Sequence, residues 1–90
     1  MSGQVSHKDT SDNMMAFTLA VARLLVDNAD GVEISEIPGT PMNVLELKVA
    51  KEDIGKVIGR SGRTAEALRT LVNCGAEKQG MRFNVQIVDK

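Results

Sequence analysis

Ninety residues, 42% of them hydrophobic and 26% charged, make one small domain of ordinary globular composition with room for a single core. One cysteine, Cys74, excludes an internal disulfide framework, and no apolar run is long enough to span a bilayer. The net charge of −1 excludes a broadly basic coat for nucleic acid, yet the charge is uneven: residues 1–50 carry three Lys/Arg against seven acids, and residues 51–90 carry eight against five.

With no charged start leading into an apolar signal core, a cytoplasmic protein is expected. The opening MSGQVSHKDTSD is polar and lacks periodicity. It predicts a flexible tail over residues 1–13, followed by one domain over residues 14–90. Thr10, Ser11, Asp12 and Asn13 are N-cap candidates for the helix that follows.

Residues 14–26, MMAFTLAVARLLV, predict the first helix. Only Thr18 and Arg23 among them are polar, so the helix is apolar nearly all round, unlike a one-sided surface helix. Two readings stay open: a core helix with the small Ala16, Ala20 and Ala22 turned outward, or a helix with a second buried face against a partner.

Strand patterns follow. In VEISEIP, residues 32–38, Val32 and Ile34 alternate with Glu33 and Ser35. In VLELKVA, residues 44–50, Leu45, Leu47 and Val49 alternate with Glu46 and Lys48. The turn residues PGTPMN between them predict an antiparallel hairpin. Residues 51–58 read as a short helix whose first-turn acids Glu52 and Asp53 suit its dipole. A longer helix runs from Arg63 to Gln79, facing inward with Ala65, Leu68, Leu71 or Val72, and Ala76, and stopping at Gly80. The last strand, MRFNVQIV, turns Met81, Phe83, Val85 and Ile87 inward. The fold class is α+β in the order α-β-β-α-α-β: a three-stranded sheet with three helices packed on one face.

The stretch DIGKVIGRSGRTAEALRTL joins the two later helices and has no aromatic residue; Lys56, Arg60 and Arg63 are its charges between Ile54 and Ala65. Gly59 and Gly62 bracket Arg60–Ser61. Glycine permits a sharp turn and lets a foreign backbone approach, while a helix beginning after Gly62 offers unpaired N–H groups to an anion. A dinucleotide fingerprint needs different glycine spacing after a strand, and a P-loop needs glycine where Ala50 stands. The bland reading of Gly59 and Gly62 is a sharp helix–helix turn and nothing more.

The residues IGKVIGRSGRT, with Gly59-Arg60-Ser61-Gly62 as a GxxG element, resemble the signature of the KH RNA-binding domain, and the element order looks like its type II arrangement. VDNAD, LELKVAKEDIGKVIG, GRTAEALRTLVN and VQIVDK are similar to the small bacterial KH proteins of the KhpA family. The likeness covers about residues 14–90. It implies single-stranded RNA held over the GxxG loop with low sequence selectivity, self-association as a homodimer, and a role as RNA chaperone or post-transcriptional regulator. In some bacteria it further implies pairing with a second KH protein, KhpB, and an influence on cell-wall synthesis and cell length.

Carried over by residue, Gly59, Arg60, Ser61 and Gly62 would hold the RNA backbone, with Lys56 and Arg63 flanking its phosphates. Ile54, Ile58, Ala65 and Leu68 would line the helical wall of a base groove, opposite the strand around Leu45 to Val49. For these aliphatic residues a core role competes with base contact. Ala65 stands where a larger aliphatic is common, and Arg60-Ser61 replaces a more usual lysine-led pair.

RNA-binding sheets that stack bases use Phe, Tyr or Trp, at about 1–3 kcal/mol per base. Here Trp and Tyr are absent, and Phe17 and Phe83 fall at core-like positions. A lone domain should therefore bind weakly and with salt sensitivity. An enzyme is not expected: His7, the sole histidine, lies in the expected tail, Cys74 has no histidine partner nearby, and no cluster has metal-ligand spacing. No cofactor is implied. The rival to RNA binding is a protein-interaction module, supported by the apolar first helix.

Overall fold

Polar side chains, not apolar periodicity, decide where the first helix begins. The computed structural model describes residues 6–90. Helix α1 spans His7–Leu25, and Ser6 caps it, its Oγ accepting the Asp9 N–H at 3.0 Å. The expected tail is thus corrected. Residues 7–13 are helical, none of the four expected caps is used, and residues 1–5 lie outside the described residues. Thr10 and Ser11 are buried, Ser11 Oγ donates to Glu36 Oε2 at 2.9 Å, and His7 Nε2 meets the Gln79 carbonyl at 2.8 Å. These tertiary bonds anchor two turns that carry no apolar stripe.

Strands β1 (Glu33–Ile37) and β2 (Asn43–Val49) form the expected antiparallel hairpin, with Ile34 opposite Leu47 and Glu36 opposite Leu45. Strand β3 (Phe83–Asp89) runs parallel to β2 on its other side, so β2 is the central strand. The expected helix over 51–58 is a 3₁₀ turn at Lys51–Asp53 leading into α2 (Ile54–Ile58), and α3 spans Arg63–Glu77. The element order matches the α+β expectation.

One sheet face meets the helices. Leu45, Val85 and Phe83 pack with Leu68, Val72 and Ala76 of α3, while Leu47 and Val49 pack with Ala22 of α1 and Val57 of α2. The other face shows Glu46, Lys48 and Gln86, as the alternation requires. On α3 the inward choice falls on Val72, 0% exposed, and Leu71 is left 58% exposed.

Two sequence expectations for α1 are corrected. Ala22 points into the core, fully buried among Leu47, Val49 and Val57. Phe17 is 38% exposed, and Leu24 is exposed as well. Thr18 fills the inward position instead, its hydroxyl satisfied by the Met14 carbonyl at 2.7 Å. Helices α1 and α3 run antiparallel, since His7 meets Gln79 while a Cβ on Gly75 would lie 3.3 Å from Met14 Cε.

Candidate nucleic-acid interface

The chain between α2 and α3 turns within four residues, and it does so in left-handed backbone. Gly59 has φ +79° and Gly62 φ +74°; Ser61, which is not glycine, sits at φ 56°, ψ 26°. Arg60–Gly62 forms a 3₁₀ turn closed by Gly62 N–H to the Gly59 carbonyl at 3.1 Å. The two glycines serve different ends. A Cβ on Gly59 would run into the Oγ1 and Cβ of Thr64, so the turn closes against α3 only without a side chain there. A Cβ on Gly62 would meet nothing within 4 Å. That position is bare toward solvent, where an incoming backbone could lie.

Gly62 is also the N-cap of α3 and supplies no side-chain cap. The first turn of a 15-residue helix therefore keeps N–H groups and a positive dipole end beside the loop. Arg60, Ser61 and Arg63 are exposed. Neither arginine joins an ion pair among the described residues. Glu66, on the next turn, reaches toward Arg69 at 3.9 Å, away from the loop.

Lys56 is placed differently. Its Nζ lies 3.3 Å from Asp53 Oδ1 and 3.4 Å from Asp27 Oδ2. Asp53 is buried, and its two carboxylate oxygens accept the Asp27 and Asn28 N–H groups at 3.3 and 3.1 Å. The Asn28 N–H, ahead of Asp27 and Lys56, holds the Asp53 carboxyl below its ordinary value against the opposing effect of burial. Hydrogen bonding to Asp53, then the charge of Asp27, raises Lys56. The sequence offered Asp53 as a dipole partner. The structure makes it the tie between the end of α1 and the start of α2.

The aliphatic candidates divide. Ile54 and Ile58 are half-buried. Ala65 and Leu68 are each 3% exposed and belong to the core. The strand placed opposite them also changes: Leu45, Leu47 and Val49 are fully buried, and β2 is hydrogen-bonded on both sides. A central strand has no free edge to offer, so the strand beside α3 that is open to solvent is β3.

That edge was not legible in the sequence. Asn43 N–H bonds the Arg82 carbonyl and Lys90 N–H bonds the Val49 carbonyl, so even-numbered residues of β3 face β2 and odd-numbered ones face outward. Side chains of α3 occupy the first outward groups. Asn73 bonds both the N–H and the carbonyl of Phe83, and Arg69 Nε donates to the Val85 carbonyl at 3.0 Å. Four residues of α3, about 6 Å, match two of β3, about 6.6 Å. Continued at that spacing, the register would bring Ile87 toward residues 65–66 and Asp89 toward Gly62. The outward groups of Ile87 and Asp89 have no partner among the described residues, and Ile87 and Ile54 are both packed against the core residues Leu47, Val49 and Val57. A cationic bare turn, two half-buried isoleucines on α2 and the open edge of β3, a strand that both α2 and α3 contact, are the elements of the candidate interface.

A family model described as "KhpA/KhpB, KH domain" matches residues 16–87. The chain belongs to that family. KhpA/KhpB relatives include a protein named RNA-binding protein KhpA of Caldanaerobacter subterraneus subsp. tengcongensis, 53% identical over 68 residues that cover 76% of this chain and 91% of the relative. The protein of the same name from Clostridium acetobutylicum is 48% identical over 68 residues, covering 76% and 91%. That from Chlamydia pneumoniae is 40% identical over 77 residues, covering 86% and 99%. These KhpA relatives are named as RNA-binding proteins, not as enzymes. Among the described residues, no helix is long and apolar enough to cross a membrane.

Proposed function

We infer that this KhpA/KhpB family member binds single-stranded RNA, holding the sugar–phosphate backbone at Gly59–Gly62 with low sequence selectivity. The observation that carries the reading is the bare left-handed turn at Gly62 between unpaired Arg60 and Arg63, at the uncapped start of α3. Phosphates meet Arg60, Arg63 and N–H groups. One or two bases lie over Ile54 and Ile58, within reach of the outward backbone groups of Ile87. With no exposed Tyr or Trp to stack on, affinity rests on phosphate contact and falls with salt.

Two copies acting together would offset weak binding by a single domain. Exposed Phe17 on α1 and exposed Leu71 on α3 are the surface through which a homodimer, or a KhpB-like partner, would form. A cytoplasmic RNA chaperone or post-transcriptional regulator, with effects on cell-wall synthesis and cell length, rests on the family resemblance and not on geometry. The test is an NMR titration of ¹⁵N-labelled protein with an oligouridylate. The reading requires amide shifts grouped at residues 59–64 and 87–89. Shifts confined to α1 would instead support a protein-interaction module in which RNA binding is vestigial.

A further inference from the structure

Lys56 stands one turn before the loop, where a lysine ought to add a third cation to Arg60 and Arg63. Its ammonium is turned the other way, shared between Asp53 and Asp27. The two acids are not equivalent. Asp53 is buried and already takes two backbone N–H groups, so its carboxylate is satisfied largely without Lys56. The Asp27 side chain is 85% exposed, with Lys56 as its single ion-pair partner among the described residues. The bonds from the Asp27 and Asn28 N–H groups to Asp53 fix the backbone at this point. Asp27 is thereby set beside α2 with its charge facing the lysine.

We propose that Asp27, by adding a second carboxylate to the hold of Asp53 on Lys56, limits the affinity of the interface and keeps Lys56 off the GxxG loop. This inference rests on the RNA-binding reading of that loop. The free protein then presents two cations to a polyanion, Arg60 and Arg63. Residues on successive helical turns are about 5–6 Å apart, so a released Lys56 side chain spans from its own turn to a phosphate at Gly59–Gly62. The Asp27–Lys56 pair is exposed and weak. Asp27 sets affinity without blocking the site.

Fluorescence anisotropy with labelled oligouridylate tests this on the full chain, using Asp27→Asn, Lys56→Gln and their combination across a salt series. Asp27→Asn keeps the backbone N–H that Asp53 accepts. It should tighten binding by up to about fivefold and steepen the log K against log salt slope by about 0.7, the value of one further phosphate contact on a single strand. Both gains should vanish when Lys56→Gln is present as well. Unchanged affinity and slope in Asp27→Asn would overturn the proposal. So would an equal gain with and without Lys56, which would mean general charge repulsion. The Arg60→Asp/Ser61→Asp variant separates the two failures: if it loses RNA binding, the loop reading stands whatever Asp27 does, and if it binds as wild type, both fall.

Discussion

The side-chain amide of Asn73 pairs with the backbone of Phe83 like an added strand, taking its N–H at 2.8 Å and giving a hydrogen to its carbonyl at 2.9 Å. A third bond, to the Arg69 carbonyl, fixes the amide on α3. One residue thereby docks the helix on β3 and satisfies the outward groups at the start of an exposed sheet edge.

Asn73→Ala should therefore destabilise the protein by about 2 kcal/mol, because the backbone groups of a buried residue lose their partners. A urea melt measures it. A loss within about 0.5 kcal/mol, the usual range for surface changes, would mean that water replaces the amide freely.

The two loop glycines should separate. Gly62→Ala bears only the left-handed backbone cost of about 1–2 kcal/mol, since the new methyl meets nothing. Gly59→Ala adds a collision with Thr64 and must melt lower than Gly62→Ala. Equal melting temperatures would contradict the packing of the turn against α3.

Acid should weaken the protein in part through Asp53. Its folded carboxyl titrates below the unfolded value of about 3.9. The stabilisation is thus fully present above that pH and is lost as pH falls through the lower, folded value. Asp53→Asn should start less stable at neutral pH and decline less steeply below about pH 4. Glu33, lowered by Lys90, contributes to the acid loss in both proteins, so the difference between the two curves is the readout. Curves of identical steepness would show that the carboxylate is not held by the 27–28 turn.

The proposed pairing through α1 and α3 requires that wild type self-associates and that joint replacement Phe17→Asp and Leu71→Asp abolishes this while leaving the fold intact, because both side chains are exposed. Light scattering over concentration tests it. A variant that associates as strongly as wild type would move the contact elsewhere.

What could be read from the residues had a simple period behind it. Alternation placed the inward residues of β2 and β3, and three- and four-residue spacing found Ala65, Leu68 and Ala76 on α3. Leu71 and Val72 were indistinguishable by spacing, and only the contact with β3 selects Val72. The first two turns of α1 are held by Ser6, Ser11 and His7 through polar bonds, which hydrophobic periodicity does not detect. The loop was legible because glycine is so constrained in meaning there. The destination of Lys56 was not, because Asp27 lies far from it in sequence. Nor was the choice of β3 over β2 as the open edge, which depends on a parallel pairing of two strands across the intervening helices α2 and α3.

The central claim is that RNA lies against the turn at residues 59–62. Ultraviolet crosslinking to an oligouridylate, comparing wild type with Arg60→Asp/Ser61→Asp at matched circular dichroism and melting temperature, tests it most directly. The double change reverses the charge at an exposed turn without touching the core. Crosslinking should disappear while the fold persists. Crosslinking that survives in the folded double variant would contradict the account.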